Sequence, residues 1–326
     1  MTFRIRHYAM ALLLAPAVVA GEVPSVAVDI PPVHSLVDRV MGDLGSPDLV
    51  IQPGASPHGY SMRPSEAAAL DRAGIVFWVS EDLTPWLKRS IDTLAGDAVS
   101  VQLMDVPGTL RLDYREGATL DSREDAHDDH DHGHEHDQGH QHSHGHDHGH
   151  AHHGEDPHGW LDPANAQVWL DAIAESLADA DPGNAATYRD NARLAREELE
   201  DLTDELDERL AKARGARFVV FHDAYQYFEN RFGLSAAGAI ALGDASDPSP
   251  ARIDALRQRV EQLDVDCVFS EPQFNPALID SVFGDTGVDT SIVVDPLGVD
   301  LPLGGRLYGA LLQRLAEGVT SCAQGR

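Results

Sequence analysis

NAATYRDNARLAREELEDLTDELDERLAKA, residues 184–213, holds no proline or glycine and is built from strong helix formers, with Leu194, Leu199, Leu202, Leu206 and Leu210 spaced three to five residues apart. The spacing predicts one helix of about 45 Å at 1.5 Å per residue, enough to cross a small domain. A strict heptad is not sustained, so the stripe is read as packed along its own chain rather than in a coiled-coil dimer. The expected state is a monomer.

Outward from this helix the pattern changes to short β-branched runs alternating with amphipathic stretches. Before it, SVAVDI (25–30), DLVI (48–51), GIVFWV (74–79) and VSVQLM (99–104) alternate with VHSLVDRVMGDL (33–44), PSEAAALDRA (64–73) and DLTPWLKRSIDTL (82–94). After it, RFVVF (217–221), a helix near 224–232, PARIDALRQRVEQL (250–263), VDCVFS (265–270), SIVV (291–294) and a last helix at about 306–317 repeat the rhythm. Such βαβ alternation predicts an α/β protein with two Rossmann-like lobes of mostly parallel strands, joined by one long rigid helix, with the ligand site in the cleft between them. The expected division is a leader at 1–20, an N-terminal lobe at 21–181, the linking helix at 182–213 and a C-terminal lobe at 214–326.

The leader reading rests on MTFRIRHYAMALLLAPAVVAGE (1–22), where Arg4 and Arg6 precede a short apolar stretch that closes on small residues before Gly21. The stretch is too short to span a bilayer, and no cysteine stands near the cleavage point to accept a lipid. A soluble protein, in a periplasm or outside the cell and without membrane insertion or lipid anchor, is expected. The chain has 326 residues, 42% of them hydrophobic, and a formal charge of −30, which argues against nucleic acid and suits a cationic ligand. Cys267 and Cys322 are the only cysteines. In an oxidising compartment such a pair tends to bond, the alternative being two separate thiols.

Part of the acidity is local. The segment Asp121–Asp156 has eleven carboxylates against Arg123 alone, and within it stand His127, His130, His132, His134, His136, His140, His142, His144, His146, His148, His150, His152 and His153. A tract of His, Gly and acid cannot build a core, and it is expected to form a disordered loop at 121–157 that offers many weak metal sites. The alternative is a solvated linker whose histidines are incidental.

In open α/β sheets ligands bind beyond the carboxyl ends of strands. Three residues follow strands there: His58 in QPGASPHGYSMRPSE, His222 in FHDAYQYFE and Asp295 in VVDPLG, with His158 of DPHGWLDP as a fourth candidate past the tract. Three imidazoles and a carboxylate in one cleft suit four-coordinate Zn2+. Singly, each residue is more often an ordinary hydrogen-bonded side chain. His34 reads as a capping or packing residue, Trp160, Tyr60 and Phe221 as walls of the site, and Glu271 as a partner that orients an imidazole. No HExxH pair, nucleophile elbow, P-loop or GxGxxG is present, so catalysis finds little support.

The segments GASPHGYSMRPSE, HGWLDP, FHDAYQYFE, CVFSEPQFNP and VVDPLG, in this order and with a His/Asp-rich insertion before the second, resemble the periplasmic zinc-binding component of bacterial high-affinity zinc ABC importers, the ZnuA type. The resemblance covers essentially the whole mature chain. It implies that His58, His158 and His222 ligate zinc, that Asp295 completes the shell or lies close to it, and that Cys267 pairs with Cys322. It also implies as partners an inner-membrane zinc permease and its separate ATPase. Some members carry Glu before the first ligand, where this chain has Pro57, which leaves Asp295 or water as the fourth donor. Manganese-selective relatives carry a carboxylate at the third position, where this chain has His222.

Three rivals remain: a periplasmic storage or chaperone protein that uses the tract, a manganese-binding transport receptor, and a metallohydrolase. Binding to neutral imidazoles should weaken as pH falls through ~6.5, the ordinary histidine value. Deleting residues 127–153 should remove several weak zinc sites and leave one tight site in a calorimetric titration. Loss of tight binding with the tract would favour the storage reading.

Overall fold

The computed structural model describes residues 23–115, 154–241, 250–273, 279, 282–284, 287–288 and 292–324. The expected leader at 1–20 and the tract histidines from His127 to His153 lie outside the described residues.

Strands β1 (Val26–Val28), β2 (Asp48–Leu49), β3 (Ile75–Trp78) and β4 (Val99–Gln102) form a parallel sheet in the order β2-β1-β3-β4, with Ala27 opposite Asp48, Val26 opposite Ile75 and Ile75 opposite Val99. β1 and β3 are buried at every position. That is why they read as unbroken apolar runs, as strands covered on both faces do. The crossovers are α1 (Pro31–Met41), α2 (Pro64–Arg72) and α3 (Pro85–Leu94), each opening on proline, whose fixed φ and missing N–H suit a first turn. Asp29, fully buried past β1, clips the two central strands together: its Oδ1 accepts from the Ile30 N–H at 2.8 Å and its Oδ2 from the Val79 N–H at 2.7 Å.

α4 (Pro163–Ala180) starts at Asp162, whose Oδ1 accepts from the Ala164 N–H at 2.9 Å. The long helix is α5 (Ala185–Leu210), 26 residues and so about 39 Å. Its seam differs from the expected leucine stripe. Tyr188, Ala192, Ala195, Leu199, Leu206 and Leu210 are buried, while Leu194 is 46% exposed. α5 lies against α1 and α4, and small side chains such as the two alanines let helices approach closely.

In the second lobe β5 (Phe218–His222), β6 (Gly238–Ala241) and β7 (Cys267–Val268) run parallel in the order β6-β5-β7, accompanied by α6 (Gln226–Phe232), α7 (Pro250–Leu263) and α8 (Leu307–Gln324). β6, read from GAIA, has no β-branched run to announce it, and pairing with β5 rather than local propensity makes it a strand. Of the expected strand at 291–294, the described residues 292–294 form one parallel bridge, Val293 to Ser270. α8 runs past the expected end at 317, through Gly318, where the helix passes so close to its neighbour that a Cβ would stand 2.6 Å from Val294 Cγ1.

α8 serves both lobes. At its start the Tyr308 N–H donates to Ser35 Oγ at 3.0 Å and the Tyr308 hydroxyl to the Trp160 carbonyl at 2.6 Å. At its end Cys322 is disulfide-bonded to Cys267 of β7. One apolar core runs through the first lobe, α5, α8 and the near face of the second sheet, and a second cluster around Phe221, Ile240 and Phe283 fills the far face. No helix among the described residues is long and apolar enough to cross a membrane.

Replacing both Cys267 and Cys322 with serine should lower unfolding free energy by about 4 kcal/mol, the chain-entropy value for a loop of this length, closed here across 55 residues. Denaturant unfolding of the oxidised and double-serine proteins measures it. Burial pushes the Asp29 carboxyl up to about 7, against the pull of the backbone N–H groups of Val79 and Ile30. A pKa raised on folding stabilises at acid pH and is lost as pH rises through the folded value. Stability should therefore fall between pH 4 and pH 8 by up to about 4 kcal/mol relative to an Asp29→Asn control, whose own deficit stays constant across that range.

Candidate metal centre

His58 lies in the loop after β2. The Trp86 indole of α3 donates to the Pro57 carbonyl at 2.8 Å, which fixes the residue before it. Gly54 in the same loop has φ +86°, and Val299 Cγ2 of the other lobe would stand 3.2 Å from a Cβ there, so this loop borders the C-terminal lobe.

His158 opens the turn Gly159–Leu161 that leads into α4. It is buried, and Asp156 Oδ1 accepts from its backbone N–H at 3.0 Å and pairs with its Nδ1 at 2.7 Å. His222 ends β5, equally buried, with its Nδ1 2.8 Å from Glu271 Oε1, just beyond β7. A carboxylate beside Nδ1 favours the tautomer with the proton there, which leaves the Nε2 lone pair for an electrophile. Two carboxylate-anchored imidazoles thus come from different lobes.

The three rings meet. The centroid of His158 is 5.7 Å from that of His58 and 5.4 Å from that of His222. With Zn–N near 2.05 Å, imidazoles on a tetrahedral ion have centroids about 5.2 Å apart. Among the described residues no three His, Cys, Asp or Glu donors are gathered tightly enough to hold an ion as they stand, in keeping with spacings a few tenths of an ångström wide. His58, His158 and His222 line one small pocket with Glu271, Gln273, Trp160, Pro296 and Leu297. Trp160 lies 5.2 Å from His158 between centroids, and its indole donates to the Pro296 carbonyl at 2.8 Å, closing the pocket across the lobes.

Asp295 stands behind that lining. Its Oδ1 accepts from the Leu297 N–H at 2.9 Å and from Gln273 Nε2 at 2.8 Å, and its Oδ2 accepts from the Val299 N–H. Burial, with the Glu271 and Asp295 carboxylates adding to it, pushes the Tyr225 hydroxyl well above the usual tyrosine value, so both acids lie within electrostatic reach of the ring beside His222. The two remaining aromatic expectations are corrected. Tyr60 turns away, its ring against Trp86 and its hydroxyl donating to Glu66 at 2.9 Å. Phe221 points into the far core, because alternation along β5 sends neighbours to opposite faces. His34 is packed in α1, where burial lowers its pKa and keeps it neutral, and it is not part of the pocket.

Sequence reasoning passed over Asp156, Trp86 and Gln273. The first had a visible signal, an Asp two residues before a candidate ligand, whereas the others act through contacts distant in the chain. A wider groove between α1, α5 and residues 301–307 shares no lining residue with the imidazole pocket.

Comparison with known proteins bears on what this pocket serves. The family model described as zinc-uptake complex component A, periplasmic, matches residues 26–322. The high-affinity zinc uptake system protein ZnuA of Paracoccus denitrificans is 44% identical over 314 residues, 96% of each chain. Among solved structures, a zinc-bound deletion mutant of ZnuA superposes with a TM-score of 0.70 at 22% identity, over 91% of this chain and 96% of that one. FpvC of Pseudomonas aeruginosa in complex with Mn2+ does so with 0.73 at 20% identity, over 93% and 99%. The last two likenesses show the fold alone, which is shared by proteins solved with different metals. Because the family model spans nearly all the described frame, and the Paracoccus protein is this similar from end to end, the chain belongs to the ZnuA family, the periplasmic component A of zinc-uptake complexes.

Proposed function

We propose that this protein is a periplasmic receptor that takes Zn2+ between its lobes on His58, His158 and His222, with Asp295 as fourth donor, and hands it to an inner-membrane permease driven by a separate ATPase. The carrying observation is the meeting of three imidazoles from three elements of two lobes, two of them anchored by carboxylates at Nδ1. Three nitrogen donors suit zinc better than manganese, which prefers more oxygen. A fourth protein donor closes the shell, and a closed shell suits carriage rather than catalysis. Asp295 reaches the ion by exchanging backbone N–H partners for metal, and water is the alternative occupant.

The protein acts as an exported monomer, freed of its leader at 1–20 and without a lipid anchor. The histidine tract is accessory: weak sites near the cleft raise the local zinc concentration. The stiff α5 permits only small rocking of the lobes, so release depends on docking to the permease or on movement of a ligand loop.

His222→Ala should abolish the tight site while leaving weak tract sites in place. Asp156→Asn, which touches no metal, should keep the fold and weaken tight binding by about 10–100-fold, as loss of an imidazole's anchoring carboxylate does. Competition titration against a chelator reads both. Full affinity in His222→Ala would sink the assignment of the site.

A further inference from the structure

Arg115, the last described residue before the histidine tract, reaches across to the C-terminal lobe. Its Nε donates to Asp223 Oδ1 and Oδ2 at 3.1 and 3.0 Å, and its Nη2 donates to Asp223 as well. Nη1 and Nη2 donate to Glu229 at 2.8 and 3.0 Å. Both carboxylates are buried, each 4% exposed, and Arg115 is half-buried at 17%. Asp223 directly follows His222, and Glu229 lies in α6, where it also accepts from the Ala236 N–H at 2.9 Å.

The same stretch of the N-terminal lobe is tied to α6 at a second point. The Leu112 N–H donates to the Tyr227 hydroxyl at 3.0 Å, and that hydroxyl donates to the Asp156 carbonyl at 2.8 Å. Asp156 returns its N–H to the Leu112 carbonyl at 2.8 Å and holds His158 with its carboxylate. One bonded path therefore leads from Arg115 to His222 and a parallel one from Leu112 to His158. Buried ion pairs are often replaceable by apolar groups without loss of stability. What a guanidinium adds is orientation, because its donors form a rigid fork that fixes two carboxylates at once.

We propose that Arg115 is a positioning residue for metal retention: its grip on Asp223 and Glu229 holds the end of β5 in register with the His158 segment, so that both imidazoles face one ion. This rests on the assignment of zinc to His58, His158 and His222. Charge alone predicts the opposite sign. A neutral side chain at 115 would leave the acids near the site uncompensated, which strengthens attraction for a dication and slows its escape. Loss of register speeds escape.

The test is zinc release from the full-length protein after mixing with excess chelator, read on the slow phase that His222→Ala removes. Arg115→Gln should accelerate that phase at least tenfold. Arg115→Lys, which keeps the charge but not the fork, should accelerate it too, and Glu229→Gln should do so to a smaller extent. A slow phase unchanged or slowed in Arg115→Gln, even with a lowered thermal midpoint, overturns the proposal. So does a wild-type rate in Arg115→Lys. If Arg115→Gln does not fold, Arg115→Lys and Glu229→Gln decide by the same reading. A slow phase that persists in His222→Ala overturns the zinc assignment instead, which keeps the two failures apart.

Discussion

The buried seam of α5 is the constraint on which the site depends. Imidazoles from two lobes can share one ion only if their Nε2 atoms are held to within a fraction of an ångström, and a short flexible linker would not do that. Tyr188, Ala192, Ala195, Leu199, Leu206 and Leu210 bury one face of a helix 26 residues long, and α1, α4 and α8 cover it. α8 repeats the arrangement in the opposite sense. It starts on Ser35 and Trp160 and ends on the strand that carries Cys267. Two helices packed along both lobes tie them together at several points.

The candidate ligands stand at or beyond the ends of strands and before α4. A neutral imidazole in an apolar pocket is free to rotate and to exchange tautomers, and both freedoms weaken metal binding. Asp156 and Glu271 remove them for His158 and His222, each taking Nδ1 and leaving Nε2 toward the pocket. His58 is held differently, through the backbone carbonyl of Pro57 under the Trp86 indole. Its loop borders the C-terminal lobe at Gly54.

Much of this was legible in the sequence, for a physical reason. Strands buried on both faces must be apolar throughout, so β1, β3 and β5 declare themselves, and the absence of helix breakers over 184–213 declares α5. The position of His222 follows from the strand it ends. What stayed hidden was set by contacts distant in the chain. β6 is a strand because β5 lies beside it, and the seam of α5 uses alanines where leucines invited attention. Phe221 faces away because of a register that the run RFVVF does not state. Asp156 was readable beside its histidine, while the clasp of Arg115 on Asp223 and Glu229 joins residues more than a hundred positions apart.

The contrast between tract and pocket then concerns preorganisation. Thirteen histidines among carboxylates offer more donors than any ion needs, but on the proposed reading each binding event would have to organise a stretch whose composition gives it no core to lean on. On the proposed reading such sites would be weak, numerous and indifferent among metals that like nitrogen and oxygen. In the pocket the ordering is done in advance, by sheets, by α5 and by carboxylates that already hold two of the rings. The net charge of −30 attracts every cation alike. On the proposed assignment, discrimination would come from the groups of the pocket: the buried His158 and His222, the half-buried His58, and an acid, Asp295, that would join them by giving up its backbone partners. On that assignment an ion that did not draw the rings together would gain too little to release the acid, and closure of the shell would itself be the selective step.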